Sequence, residues 1–208
     1  MNAQIRSNPD DTRTRILEVA QMLFRRLGFA KLTVADIASE LGMSPANIYR
    51  FFPSKAAIIE ALCQSCLGEL ESKVWTIARG RGSAAQRLEQ LVLAIHQYHL
   101  DNILKEQRVA DILLFALESR LDAVHAHQRV VLNGFEMILR DGVEAHEFAI
   151  DNPRETARHV FLSCAAFMHP VMIAQSFVGV QDLQADARAT VRLVTRAIAA
   201  PQSAPSST

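Results

Sequence analysis

An all-α fold is predicted by three features of the 208-residue sequence. Apolar residues recur at spacings of three and four through nearly every segment, as in helices with one buried face. Gly, Pro and Ser stand where those patterns start and stop. No stretch alternates apolar and polar residues as a half-buried strand does, and no internal repeat is present. The tail PQSAPSST, residues 201–208, is the one low-complexity block and is expected to be disordered.

Taken in order, TRTRILEVAQMLFRRLGF places Ile16, Val19, Ala20, Leu23, Phe24 and Leu27 on one stripe, with Gly28 as the C-cap. Thr33 is the N-cap of a second helix with apolar face Ile37, Ala38 and Leu41. Asp36 completes its capping box, and Gly42 stops it. Ser44 followed by Pro45 opens a third helix, since Ser caps and Pro is tolerated at the first helical position. Pro53 ends it near Phe52. Ser54 caps a fourth helix running from about Lys55 to Arg79, and GRGS (Gly80–Ser83) is a break. Further helices are expected over about 83–104, 106–117, 122–147, 153–178 and 183–200. Pro170, inside FLSCAAFMHPVMIAQ, is expected to kink its helix, where it either shapes a pocket wall beside Met168, His169 and Met172 or simply bends the chain around a neighbour.

Composition narrows the function. Half the residues are apolar, enough for a sizeable core. No apolar run reaches the length of a membrane span, and MNAQIRSNPDDTRTR lacks the apolar segment of a secretory signal. A cytoplasmic protein with no membrane partner is expected. The cysteines Cys63, Cys66 and Cys164 are too few for a disulfide framework and fit a reducing compartment. The chain is neutral as a whole, but residues 1–55 carry eight Lys/Arg against five Asp/Glu, and residues 56–208 carry fourteen against seventeen. A basic head on a mildly acidic body points to a head that meets a polyanion.

Residues 33–52 have the spacing of a helix-turn-helix. On a wheel of about 100° per residue, Ile48 and Phe52 fall together on a rooted side. Ala46, Asn47 and Arg50 face the other way, flanked by Tyr49 and Phe51. A small residue, an amide and a guanidinium on a short exposed helix suit a DNA major groove, because Asn pairs with adenine and Arg with guanine or phosphate. Ser44, the amides of its helix start, Tyr49 and Lys55 are placed for backbone phosphates. The plain alternative is an ordinary corner of a helical bundle with Asn47 and Arg50 merely solvated.

Residues 10–70 resemble the N-terminal DNA-binding domain of TetR-family (TetR/AcrR-like) transcriptional regulators. The matching residues are Ile16, Ala20, Leu23, Phe24, Gly28, Thr33, Ile37, Ala38, Gly42, Ser44, Ile48, Tyr49, Phe52, Ser54 and Lys55. The resemblance implies a three-helix helix-turn-helix domain, and a DNA-facing set of Thr33, Ser44, Pro45, Ala46, Asn47, Tyr49, Arg50, Phe51 and Lys55. Pro45, Ala46 and Asn47 stand where relatives vary most, so the operator does not transfer from any of them. Arg50 and Phe51 replace a more usual aromatic and His or Tyr pair.

The same resemblance implies that residues 71–200 form a helical-bundle domain for ligand binding and dimerisation. Partners are then double-stranded operator DNA, a small-molecule effector and a second copy of the chain. Dimerisation would use the last two long helices, where Val160, Phe161, Cys164, Phe167, Val171, Val191, Val194 and Ile198 suit either a subunit interface or the chain's own core. Candidate pocket residues are Trp75, Tyr98, His99, Phe115, Phe135, Met137, Met168, His169 and Met172, a set that fits an apolar or amphipathic effector or ordinary core packing.

The leading expectation is a ligand-responsive regulator, a repressor released from a palindromic operator, with no catalytic residue, cofactor or metal. The rival is a metal- or thiol-dependent enzyme or redox sensor on a helical bundle. Cys63-x-x-Cys66 lies on one helix face, and His96 and His99 are three apart, as half of a metal site requires. No second close Cys pair completes a four-ligand set, and no nucleophile motif, phosphate loop or paired-carboxylate helix is present. Buried thiols and satisfied or surface histidines explain the same residues without chemistry.

Overall fold

The computed structural model describes residues 9–28, 31–105, 122–176 and 182–201. The helix expected at 106–117, with Phe115, and tail residues 202–208 lie outside them. The described residues hold ten helices: α1 (Pro9–Leu27), α2 (Val34–Glu40), α3 (Pro45–Tyr49), α4 (Lys55–Ala78), α5 (Ala84–Lys105), α6 (Asp122–Glu144), α7 (Pro153–Ser163), α8 (Ala165–Met168), α9 (Pro170–Ser176) and α10 (Leu183–Ala197). One isolated antiparallel bridge, Phe148 to Ala199, is the sole extended pairing among them. No helix there is long and apolar enough to cross a membrane.

The described residues form two compact units. One holds residues up to Cys66 with 122–124, and the other holds Leu67–Lys105 and the residues from His125 onward. In the first, the stripe on α1 buries Ile16, Ala20, Leu23 and Phe24, and α2 adds Val34, Ile37 and Ala38. Gly28 stands at φ 78° and returns its amide to the Phe24 carbonyl at 2.9 Å, so the left-handed cap is built where glycine pays no steric penalty. The Glu60 carboxylate accepts from the Ala123 amide at 2.7 Å and secures the start of α6.

The second unit is organised around Leu70, Val74, Leu88, Leu91, Phe135, Ile138 and Leu139, all fully buried. Burying that much apolar surface supplies most of its stability, at about 25 cal/mol per Å² removed from water. Arg87 crosses this core. Its Nη1 donates to the Ala78 carbonyl at 2.8 Å and to Asp141 Oδ2 at 2.7 Å, which ties the end of α4 to α6 through α5. Glu147 caps α5 from outside its own sequence, accepting from the Ala84 and Ala85 amides at 3.0 and 3.3 Å.

Several expected boundaries move. The third helix ends at Tyr49, and Phe51 and Phe52 donate to the Ile48 carbonyl in a closing turn. The helix expected over 122–147 stops at Glu144, where Glu147 and Phe148 turn back to the Gly142 carbonyl. The single helix expected over 153–178 is three pieces. It breaks at Cys164 (φ −100°, ψ 3°) and again at His169, which is extended (ψ 122°). The second break has a clear cause, because Pro170 repels a helical residue before it and then serves as the first residue of α9. The last helix, expected over 183–200, ends at Ala197.

Candidate functional site

In the first unit, capping chemistry fixes the short helix α3. Gly42, at φ 64°, and Met43 return their amides to Ser39 and Ala38, which turns the chain between α2 and α3. Ser44 then sits in extended conformation with its Oγ accepting from the Asn47 amide at 3.3 Å, ahead of Pro45. Pro45 has no N–H and the Asn47 amide is already bonded, so the Ser44 hydroxyl and the Ala46 amide are the donors this helix start can offer an anion.

The wheel's two sides are realised. Ile48 is fully buried and Phe52 is 2% exposed, so both root α3 in the core. Pro45, Ala46 and Arg50 are exposed, Tyr49 is 50% exposed, and Asn47 and Phe51 are half-buried. Tyr49 and Arg50 follow one another on this exposed side. The Arg13 guanidinium stands 4.8 Å from the centre of the Phe52 ring, adding an α1 cation near the same helix. Lys55 opens α4 half-buried, and its ammonium is disfavoured mainly by burial, with Asp36 opposing that effect.

Thr33 is placed differently from a phosphate contact. Its hydroxyl donates to Asp36 Oδ2 at 2.6 Å and accepts from the Asp36 amide at 3.1 Å, while its own amide donates to the same carboxylate at 2.8 Å. These bonds hold the Asp36 carboxyl below its ordinary value, the hydroxyl bond contributing most. With its hydrogen committed to Asp36, Thr33 shapes α2 and has none for DNA.

In the second unit, the candidate pocket residues do not share one environment. Phe135 is fully buried in the main core, and Met168 is 3% exposed. Trp75 and Met137 are half-buried against that core, with the Arg79 guanidinium 5.1 Å from the Trp75 ring centre. Met172, expected on a pocket wall, is instead 42% exposed. Tyr98, also half-buried, meets His99 edge-to-face at 5.6 Å.

His99 is buried, and His96, His127 and His169 all lie close enough to act on it. Burial first, then those three rings, pushes it down to about 3. Sequence reasoning paired His96 only with His99, as possible metal ligands. Among the described residues, however, no group of three or more His, Cys, Asp or Glu is arranged to hold a metal ion. Positions 96, 99, 127 and 169 are too far apart in sequence for their meeting to be read in advance.

The expected dimer residues need correction. Val160 is 1% exposed and Cys164 and Val191 are fully buried within this one chain, so they cannot touch a second copy. Phe161, Phe167, Val171, Val194 and Ile198 are half-buried. Among the described residues of this unit, the most exposed large apolar ones are Leu162 on α7, 54% exposed, and Leu193 on α10, 70% exposed. Ala185, Ala189 and Ala197 are exposed at four-residue spacing with Leu193, a second stripe on α10 opposite the buried Ala187 and Val191.

Comparison with known proteins bears on both units. Residues 16–62 match the family described as bacterial regulatory proteins, tetR family, and residues 84–191 match the tetracyclin repressor-like C-terminal domain. The nucleoid occlusion factor SlmA of Marinomonas sp. is 36% identical over 87 residues, 41% of this chain and 44% of that protein. SlmA of Aliivibrio fischeri is 32% identical over 146 residues, 67% of this chain and 73% of that protein. The chain thus spans under half the length of the first of these relatives and about three-quarters of the second. The transcriptional regulator FadR of Bacillus subtilis, solved with stearoyl-CoA, has the same fold. Its TM-score is 0.62 at 19% identity, covering 89% of this chain and 98% of that one.

Proposed function

Because the chain belongs to the tetR family of bacterial DNA-binding transcriptional regulators, we propose that it is a dimeric repressor released from a palindromic operator by a small-molecule effector. The observation that carries this reading is α3, rooted by buried Ile48 and presenting Ala46, Tyr49 and Arg50 outward from a Ser44-capped start. Arg50 and Asn47 read base edges, and Ser44, Tyr49 and Lys55 hold phosphates. The second copy docks on the exposed face of Leu162 and Leu193. Two α3 helices then enter grooves about one DNA turn, roughly 34 Å, apart.

The effector binds the helical body and favours a subunit arrangement whose two α3 helices no longer match the half-sites. It shifts that balance only by its differential affinity for the two arrangements. A thiol-sensing alternative has little support. Of the expected pair Cys63-x-x-Cys66, Cys63 is buried, and the third cysteine, Cys164, is fully buried with its thiol pushed up to about 11 by desolvation, which suppresses the reactive thiolate.

The test is selection of fragments of the source genome on the purified protein. Retention of a few short near-palindromes upstream of genes, weakening steeply with salt, is the expected result. Retention of none at low ionic strength overturns the reading. A second reading follows from the SlmA relatives, which are nucleoid occlusion factors. Retained sites scattered along the chromosome, with no link to promoters, favour that one.

A further inference from the structure

The second unit buries polar nitrogens that have no hydrogen-bond partner among the described residues. His96 is fully buried, and its Nδ1 stands 2.9 Å from the Phe167 carbonyl. A carbonyl only accepts, so in the neutral ring the proton sits on Nδ1 and Nε2 presents a lone pair. That Nε2, Nδ1 of His99 and Nδ1 of His169 are all buried without a hydrogen-bond partner among the described residues. Buried polar atoms are paired in the great majority of cases, because each orphan costs about 1–3 kcal/mol. Three in one neighbourhood, drawn from α5 and from the break before α9, are not an accident of packing.

Core residues adjoin these histidines along the chain, and the nearest charges in the cluster among the described residues are Glu71, at His127, and Lys73, whose ammonium stands 5.5 Å from the Tyr98 ring centre. Ile95 and Met168 belong to the buried core, and Tyr98 and Phe167 pack against it. We infer that the effector is an uncharged molecule with an apolar body and a hydroxyl that donates a hydrogen bond to the buried Nε2 of His96, the unpartnered Nδ1 atoms of His99 and His169 offering further polar contacts. The inference rests on the effector-responsive reading above and names the chemistry of that effector. An anionic ligand is a poor fit, since burial keeps His99 uncharged at neutral pH and also disfavours charge on His127 and His169. At His127 the Glu71 carboxylate, 3.3 Å away, works against that effect and would itself repel an anion. A metal is a poor fit because, among the described residues, no group of three or more His, Cys, Asp or Glu is placed to hold one.

The experiment is calorimetric titration of the full chain with 4-butylphenol and with its methyl ether, 4-butylanisole, which keeps the oxygen and loses the donor. The phenol is expected to bind about tenfold to a hundredfold more tightly than the ether, the range that one unmatched buried acceptor imposes. His96→Phe is expected to erase that preference while leaving the ether's affinity within twofold. Should His96→Phe not fold, His96→Met, which also removes the Nε2 acceptor, carries the same test.

Equal binding of phenol and ether, no heat from the phenol at millimolar concentration, or a preference untouched in all folded variants overturns the inference. Genomic fragment retention by effector-free protein is scored separately. A protein that retains fragments but ignores the phenol loses this inference and keeps the repressor reading. A protein that retains no fragment loses the repressor reading whatever the phenol does.

Discussion

The Phe148 ring lies against the bare α-carbon of Gly142: a β-carbon there would stand 2.5 Å from Cε2 of the ring and 2.8 Å from the Ala84 β-carbon. Neither neighbour has room to retreat, since Phe148 is 4% exposed and Ala84 is fully buried at the start of α5. Gly142→Ala is therefore expected to destabilise the chain by about 1–3 kcal/mol through overpacking. Gly68, exposed in the middle of α4 with nothing within 4 Å of an added β-carbon, is its opposite. Gly68→Ala is expected to stabilise by about 0.5–1 kcal/mol, because alanine gives up less backbone freedom. Thermal melts decide both, with about 2–4 °C for each kcal/mol in a chain of this size. A Gly142→Ala melt at or above wild type contradicts the packing.

On α3 the two faces should separate by assay. Arg50→Ala is expected to weaken operator binding by about 1–3 kcal/mol while circular dichroism and melting stay at wild type. Tyr49→Ala should behave alike. Ile48→Ala, on the buried side, is expected to cost about 2–5 kcal/mol of folding stability. Gel shifts and melts on the same three proteins check the division, and unchanged DNA affinity in both surface variants would count against α3 as the reading helix.

With the second copy docked on Leu162 and Leu193 as proposed, Leu162→Glu and Leu193→Glu are expected to convert the dimer to folded monomer, because each would place a charge in that apolar contact. Val191→Ala is expected to lower the melting temperature with the subunits still paired, since Val191 is covered by its own chain. Light scattering and melting distinguish the outcomes. A dimer that survives both glutamate variants would move the interface elsewhere.

Acid should weaken the helical body in the range where histidines titrate. His99 is held down to about 3, whereas in the unfolded chain it titrates near its ordinary 6.5. Between those values the unfolded state takes up a proton that the folded state refuses. Stability is thus full above about pH 6.5 and declines as pH falls, by about 1.4 kcal/mol per pH unit for that histidine. His127 and His169, also lowered mainly by burial, steepen the decline. Urea unfolding at pH 7.5, 6.5 and 5.5 measures it, and His99→Gln should flatten the slope. A slope of zero in wild type would place the ring in water.

How far the sequence could be read depended on how local each signal was. The stripe of Ile16, Ala20, Leu23 and Phe24, the Thr33–Asp36 box and the Ser44-Pro45 start each lie within a few turns of chain, and each appears where periodicity and capping put it. Pro170 marked a disturbance in the helix after 153, but nothing local marked the earlier break at Cys164, whose amide meets both the Val160 and Phe161 carbonyls. α10 carries two apolar stripes, Ala187 with Val191 and Ala189 with Leu193, and periodicity alone does not say which one the chain keeps for itself. The histidine cluster depends on tertiary contact across more than seventy residues of sequence, from His96 to His169, and has no local signature at all.

The chain contains one tryptophan and two tyrosines, and they are divided between the units. Trp75, beneath the Arg79 guanidinium, and Tyr98 belong to the second, while Tyr49 stands alone in the first. The molecule is thus self-labelled for spectroscopy. Indole emission reports melting of the helical body and cannot see the N-terminal unit. Phenol emission from Tyr49, isolated by replacing both Trp75 and Tyr98 with Phe, follows the other, so the cooperativity between them is measurable without attaching a dye.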